Sequence, residues 1–111
     1  MARVGLFAST AGDFGIEGLI GKVILEDRSS TGPALASHDG RLFIAWKGSG
    51  NENLNIMFSE DDGASFKGKH ISGETSDSSP DLVSHNSALF IAWKGSGNDN
   101  LNLARVGLFS T

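Results

Sequence analysis

The sequence contains no cysteine and no tyrosine, and only two prolines among its 111 residues. The missing cysteines exclude disulfides, thiolate metal sites and cysteine nucleophiles, although they leave the cellular compartment open. No apolar run approaches the roughly 18–20 residues that a membrane span needs, and residues 1–5 predict no signal peptide. A net charge of −4 with scattered basic residues argues against a nucleic-acid surface. We therefore expect one small globular domain with neither a membrane nor a nucleic acid as partner.

Glycine, by contrast, is abundant at 15 residues, and it belongs to an internal repeat. The hexapeptide Trp-Lys-Gly-Ser-Gly-Asn at residues 46–51 returns at residues 93–98, an offset of 47. At that offset, residues 21–56 align with residues 68–103 without a gap, and 21 of the 36 pairs are identical. A glycine-rich repeat with a period in the forties is typical of β-propeller blades or of helical repeats.

Strand signals decide between these two architectures. The apolar run Leu-Phe-Ile-Ala-Trp occurs at residues 42–46 and 89–93, and runs of this length bounded by turn residues indicate strands buried on both faces. No segment keeps a helical period of 3.6 residues. The predicted strands lie near residues 33–38, 41–47, 53–59 and 66–72 and near residues 80–85, 88–94 and 100–109, with a further outer strand at residues 19–25.

Four short antiparallel strands per repeat make one propeller blade, so we expect an all-β fold with two blades. The repeats cover about residues 19–56 and about residues 66–103 of one domain that spans residues 1–111. The first blade, residues 33–72, is complete. The second blade lacks an outer strand, which residues 19–25 would supply in a closed ring.

The two ends of the chain carry a duplicated segment. Ala-Arg-Val-Gly-Leu-Phe stands at residues 2–7 and again at residues 104–109, in the position of a third blade strand. Both copies compete for one place beside an outer strand, so one copy is spare or is exchanged between subunits. Because two blades cannot close a ring and the smallest propellers have about four, the chain is expected to assemble with copies of itself.

Residues 59–66 follow the pattern Ser-x-Asp-x-Gly-x-Ser-aromatic in the turn before the fourth strand. There Asp61 can accept backbone hydrogen bonds, Gly63 can take a positive φ, and Phe66 can be buried under the hairpin. This pattern resembles the Asp-box, or BNR repeat, of sialidase-like β-propellers. The resemblance implies a structural role for Ser59, Asp61, Gly63 and Phe66 on the face away from an active site, and no metal is predicted in this turn.

The resemblance extends to the paired Pro-x-Leu-x-Ser-His, Leu-Phe-Ile-Ala-Trp and Leu-Asn runs, and so to most of residues 19–109, which look like blades of bacterial propeller lectins. It implies six blades, hence a homotrimer, and makes an extracellular location plausible. Sialidases use a tyrosine nucleophile and three arginines that clamp the substrate carboxylate. This chain has no tyrosine, and its four arginines do not recur at matched repeat positions. We therefore predict neither catalysis nor a cofactor.

The three histidines have ordinary structural interpretations. His38 and His85 are repeat equivalents in turns after the first strand of each blade, where they can cap backbone groups. They lie in different blades and are not expected to share a metal. His70 takes the place of Val23, which indicates an exposed strand position.

The polar turn that follows each tryptophan is the candidate carbohydrate site. Trp-Lys-Gly-Ser-Gly-Asn-x-Asn-Leu-Asn occurs twice with an acidic residue at x, on the face opposite the Asp-box. Sugars stack on an aromatic plane while lysine, amide and carboxylate groups bind their hydroxyls. The candidate residues are Trp46, Lys47, Asn51, Glu52, Asn53, Trp93, Lys94, Asn98, Asp99 and Asn100.

A structural interpretation of the same residues stays open, because tryptophan can fill the gap between blades and asparagine can hold the turn through local hydrogen bonds. Two functions follow from these alternatives. The chain is a lectin-like propeller that binds glycans, or it is a self-assembling scaffold, natural fragment or engineered, with no retained ligand.

Overall fold

A computed structural model describes residues 3–8 and 14–109, and these residues form nine strands and no helix. The strands are β1 (Arg3–Ala8), β2 (Phe14–Ile20), β3 (Ala34–His38), β4 (Arg41–Lys47), β5 (Asn53–Ser59), β6 (Lys67–Thr75), β7 (Asp81–His85), β8 (Ala88–Lys94) and β9 (Leu101–Arg105). All pairings are antiparallel. The prediction of an all-β fold is therefore confirmed.

The strands form three sheets. A hairpin pairs β1 with β2, a first sheet has the order β3-β4-β5-β6, and a second sheet has the order β7-β8-β9. Each of these two sheets repeats the same hairpin register, since Ala34 pairs with Ala45 in the first and Asp81 pairs with Ala92 in the second. The offset of 47 residues is thus present in three dimensions.

In the single chain, the outer strand predicted at residues 19–25 is present only as far as Ile20. The strand that includes its first residues is β2, which begins at Phe14 and ends at Ile20. Gly21 has a φ of 71° and turns the chain out of the strand. The pairing of β1 with β2 also ends here, because Arg3, the first residue of β1, is the partner of Ile20. Residues 14–18 therefore belong to a strand, and residues 9–13 lie outside the described part of the chain.

The predicted third strand of the second repeat also ends early, because β9 stops at Arg105 rather than near Phe109. The N–H of Val106 still donates to the carbonyl of Leu89 at 2.8 Å, which extends the ladder by one bond. The N-terminal copy of the duplicated segment is therefore the one that pairs with β2, while residues 106–109 lie outside the strands.

The two larger sheets pack together through β3 and β7. Nδ1 of His38 lies 2.8 Å from Oγ of Ser84 across this contact. Alternate residues of a strand share a face, so the inner face of the first sheet carries His38 with Phe43 and Ala45, which are 3% and 0% exposed. The inner face of the second sheet carries Ser84 with Leu89, which is 1% exposed. The main core lies between these inner faces.

The outer face of the first sheet holds a second apolar cluster. Ile44, Trp46 and Met57 pack there, with Leu25 and Phe66 against them. The principal dimensions of 53 × 31 × 25 Å are elongated, and the radius of gyration of 15.8 Å exceeds the value of about 13 Å typical of a compact chain of this length. Much apolar surface therefore remains exposed on the outer faces of the two stacked sheets.

Candidate functional site

The two sheets define two ends of the molecule, which differ in chemistry. At one end, here called the polar end, the β4–β5 turn meets the loop before β7, because the N–H of Ser76 donates to the carbonyl of Glu52 at 3.0 Å. Oγ of Ser96, in the β8–β9 turn, also donates to Oε2 of Glu52 at 2.7 Å. The opposite end carries the β3–β4 and β5–β6 turns, which are joined by Nε of Arg41 and Oε2 of Glu60 at 3.0 Å. Both candidate sugar turns thus lie side by side at the polar end.

The first of these turns is held by its own amide and glycine groups. Gly48 donates its N–H to the carbonyl of Asn53 at 2.8 Å, and Oδ1 of Asn51 accepts the N–H of Asn53 at 3.0 Å. A Cβ on Gly48 would collide with the amide of Asn51. The turn therefore needs glycine at this place, and the Oδ1 of Asn51 has a structural role.

The second turn repeats this geometry. Gly95 donates to the carbonyl of Asn100 at 2.8 Å, and Oδ1 of Asn98 accepts the N–H of Asn100 at 2.9 Å. In both turns the Nδ2 group of the first asparagine is not used by these bonds. Asn51 and Asn98 are both exposed residues.

The acidic residue of each turn has a left-handed backbone. Glu52 has a φ of 63° and Asp99 a φ of 60°, a region that non-glycine residues seldom occupy. Such conformations cost free energy and are often found at functional positions. The side chains differ in their partners, since Glu52 accepts from Ser96 whereas Oδ1 of Asp99 lies 3.0 Å from Nζ of Lys94.

The second turn contains the stronger charge cluster. Nζ of Lys94 lies between Oδ1 of Asp99 and Oδ1 of Asp77, which is 3.3 Å away. The hydrogen bond that Lys94 donates to Asp99, followed by the one it donates to Asp77, raises the pKa of Lys94. The hydrogen bond from Lys94 in turn lowers the pKa of Asp77. Lys47, the equivalent lysine, donates instead to Oγ of Ser30 at 3.0 Å.

The tryptophans that precede the two turns are buried. Trp46 is 5% exposed and Trp93 is 8% exposed. A sugar ring needs an accessible aromatic face, so this burial favours the packing interpretation of both residues. The candidate residues that remain exposed or half-buried at the polar end are Lys47, Asn51, Glu52, Asn53, Lys94, Asn98, Asp99 and Asn100.

The turn of residues 59–66 has a closed set of hydrogen bonds at the opposite end. Asp61 accepts the N–H of Ser65 at 2.9 Å and the hydroxyls of Ser65 and Ser59 at 2.5 and 2.7 Å. These bonds, with that from Ser65 the largest cause, lower the pKa of Asp61 to about 2. Oγ of Ser59 also accepts the N–H of Gly63, which has a φ of 90°. All described partners of Asp61 lie within the turn itself, as its predicted structural role requires.

Phe66 lies half-buried on the outer face of the first sheet and packs against its apolar cluster. His38 is buried and bonds a side chain of the other sheet rather than capping backbone groups. His85 and His70 are both exposed. Within the residues the structure describes, no group of three or more potential ligands among histidine, aspartate and glutamate could hold a metal ion.

An apolar groove of about 500 Å³ was not predicted from the sequence. It lies between residues 22–29 and the outer face of the first sheet, where Leu35, Ile44 and Met57 contribute to its lining. The apolar residues at 19–25 were its only sign in the sequence. They were predicted to form a strand, but the chain leaves β2 at Ile20 and then runs across the outer face of the first sheet. The groove is open to solvent on the outer face of the first sheet.

Comparisons with known proteins give no relative for this chain: no family model, no curated protein and no solved structure matches it. Over the described ranges, the structure also has no helix long and apolar enough to cross a membrane. The fold is thus defined at the level of an all-β chain with three antiparallel sheets.

Proposed function

We propose that this chain is a non-catalytic, lectin-like subunit of a sialidase-like β-propeller, and that its repeated polar turns bind carbohydrate. In this proposal, each large sheet is a blade, and identical chains complete a ring. The observation that carries the proposal is that the same polar turn occurs on two stacked sheets, at the same end of both.

The chemistry of the turns suits sugar hydroxyls. Each turn offers the amide Nδ2 donor of an exposed asparagine, Asn51 or Asn98, beside a lysine and a carboxylate. Hydroxyl groups both donate and accept hydrogen bonds, so neighbouring amide, ammonium and carboxylate groups match them. Because both tryptophans are buried, the binding energy is expected to come from these polar contacts, and single sites will be weak. Several equivalent sites around a ring compensate through multivalency.

The test is a glycan-array screen of the protein at its native mass, with a variant designed around the turn hydrogen bonds. The double variant Asn51→Asp and Asn98→Asp keeps each Oδ1 acceptor for the turn but removes each Nδ2 donor. We expect its array signal to fall at least tenfold, while its mass and thermal unfolding stay close to those of the wild type.

The matched control is Asp62→Asn, at the exposed turn of the opposite end, which should leave the array signal unchanged. An unchanged signal in the double variant would contradict the site. Absence of any glycan signal from the wild-type protein would contradict the function itself.

A second candidate is a self-assembling scaffold without a ligand, and a specific observation favours it. Among the described strands, none pairs with the outer edge of β9, where Leu101 is 91% and Leu103 is 70% exposed. Sheet edges of this kind pair readily with another chain. The duplicated segment supplies the means, because residues 106–109 have the same sequence as the part of β1 that pairs with β2.

Both candidates require assembly, and six blades correspond to three chains. Light scattering is expected to give a mass near three times 11.6 kDa. A single-chain mass at every tested concentration would contradict assembly. A trimer that binds no glycan on the array would support the scaffold over the lectin.

A further inference from the structure

The contacts between the two large sheets join specific residues of the first repeat to specific residues of the second. His38 bonds Ser84, and Glu52 accepts hydrogen bonds from the side chain of Ser96 and from the backbone of Ser76. Together they bring β3 beside β7 at one end and the polar turns together at the other.

The repeat supplies a second full set of these groups. The repeat equivalent of His38 is His85, and the repeat equivalent of Ser84 is Ser37. Both His85 and Ser37 are exposed within one chain. In each of the two pairs, the residue types are identical. Each chain therefore carries one residue of a further His–Ser contact on each sheet, and the two residues do not meet within the chain.

The polar end gives an equivalent result. The repeat equivalent of Glu52 is Asp99, and the repeat equivalent of Ser76 is Ser29. Ser29 already forms a bridge with Gly48, as Ser76 does with Gly95, so its backbone has the arrangement that the contact needs. Only the acidic side chain departs from the pattern, since Asp99 is one methylene shorter than Glu52.

The burial of the repeat equivalents indicates where this second contact would form. On the inner face of the first sheet, Phe43 and Ala45 are almost completely buried, whereas their equivalents Phe90 and Ala92, on the outer face of the second sheet, are only half-buried. Val83, on the same outer face, is 55% exposed. This outer face has the residue pattern of an inner face but nothing from the described chain packed on it.

We propose that the outer face of the second sheet docks onto the outer face of the first sheet of a second copy. The docked pair places His85 against Ser37 of the neighbouring copy, and the carbonyl of Asp99 against the N–H of the neighbour's Ser29. This inference rests on the proposed assembly and specifies its interface. The contact is head-to-tail, which uses two different surfaces of each chain and generates a ring when the rotation closes.

The chain segment after β2 lies on the outer face of the first sheet, where Leu25 packs, and is placed to complete this interface. In the first sheet, β6 pairs Ile71 with Asn55 and His70 with Ile56. The shifted equivalents are Ile24 with Asn102 and Val23 with Leu103 in the neighbouring copy. Residues 22–25 lie outside any strand in the single chain, and Ile24 is 81% exposed. They are thus available as the fourth strand that β9 lacks.

The chain has no cysteine, which permits a direct test with two introduced thiols. In the double variant Ser37→Cys and His85→Cys, both substituted positions are exposed, so the fold should tolerate them. A short reagent that joins two thiols should convert most of the chains into covalent dimers and trimers on a denaturing gel.

Two control variants calibrate the result. His38→Cys with Ser84→Cys places the thiols at the contact within the chain, and should give cross-linked single chains. Glu74→Cys with His85→Cys leaves one thiol on the exposed strand β6, away from the docked faces, and should give at most a small fraction of larger products.

The outcomes separate this inference from the proposed assembly. If light scattering of the untreated protein gives the mass of several chains but the 37–85 variant forms no more covalent oligomer than the 74–85 control, the docking geometry is wrong and assembly stands. If the untreated protein has the mass of one chain, both proposals are overturned. Covalent trimers specific to the 37–85 variant support both.

Discussion

Strands β4 and β8 have the same Leu-Phe-Ile-Ala-Trp-Lys sequence but different environments. Leu89 is 1% exposed in β8, whereas the equivalent Leu42 in β4 is half-buried. The phenylalanines show the reverse order, because Phe43 is 3% exposed and Phe90 is half-buried. Identical sequence thus gives opposite burial on the two faces, and the difference arises from which face of each sheet has the other sheet as its neighbour.

The largest effect is expected from Leu89→Ala. Since Leu89 lies in the core between the sheets, truncation should lower the free energy of unfolding by about 2–4 kcal/mol, whereas Leu42→Ala in the same sequence context should cost about 1 kcal/mol in single chains. Urea denaturation at several protein concentrations measures both. Where copies assemble, the cost at Leu42 should approach that at Leu89. Equal costs in a sample with the mass of one chain would contradict the comparison.

An intermediate effect is expected from Ser76→Ala. Ser76 is completely buried, its hydroxyl lies 2.7 Å from the carbonyl of Lys94 and 2.9 Å from that of Ser78, and its Oγ accepts the N–H of Ser78 at 3.1 Å. Its loss should cost about 1–3 kcal/mol, while Ser29→Ala at the exposed equivalent should cost about 0.5 kcal/mol or less. Thermal unfolding distinguishes them. A Ser29 variant as unstable as the Ser76 variant would mean that both loops are equally packed.

The smallest effect concerns pH and the turn of residues 59–66. The pKa of Asp61 is lowered to about 2, so its native carboxylate stabilises the fold fully above the usual aspartate pKa near 4. This stabilisation is lost as the pH falls from about 4 towards 2. Asp61→Asn should therefore lower the melting temperature at pH 7, and its difference from the wild type should narrow below pH 4. Asp62→Asn is the control, and a parallel pH profile for both variants would contradict the role of Asp61.

The all-β class and the strands of the two repeats could be predicted because each strand of one repeat has a similar sequence in the other. The turn glycines and the apolar runs placed β4 and β8 within one residue of their observed ends. The strand after residue 19 could not be placed in the same way. Two identical segments are candidates to pair with it, and a sequence pattern cannot choose between identical partners.

The candidate site was predicted in part. Turn hydrogen bonds are local, so the roles of Asn51 and Asn98 follow from their spacing to the next asparagine. The burial of Trp46 is not local, because it depends on Leu25 and Phe66, which reach the sheet from distant parts of the chain. The bond between Glu52 and Ser96 depends likewise on how one sheet stacks on the other.

The β1–β2 hairpin has a consequence for the order of folding. Its strands are close in sequence, and local contacts form before distant ones. During synthesis from the N-terminus, β1 is therefore able to pair with β2 before β9 has emerged. Such a pairing occupies the backbone hydrogen-bonding groups along one edge of β2, and any later exchange of β1 for residues 104–109 must first break it. If the proposed assembly uses this exchange, it starts slowly and only from completed chains.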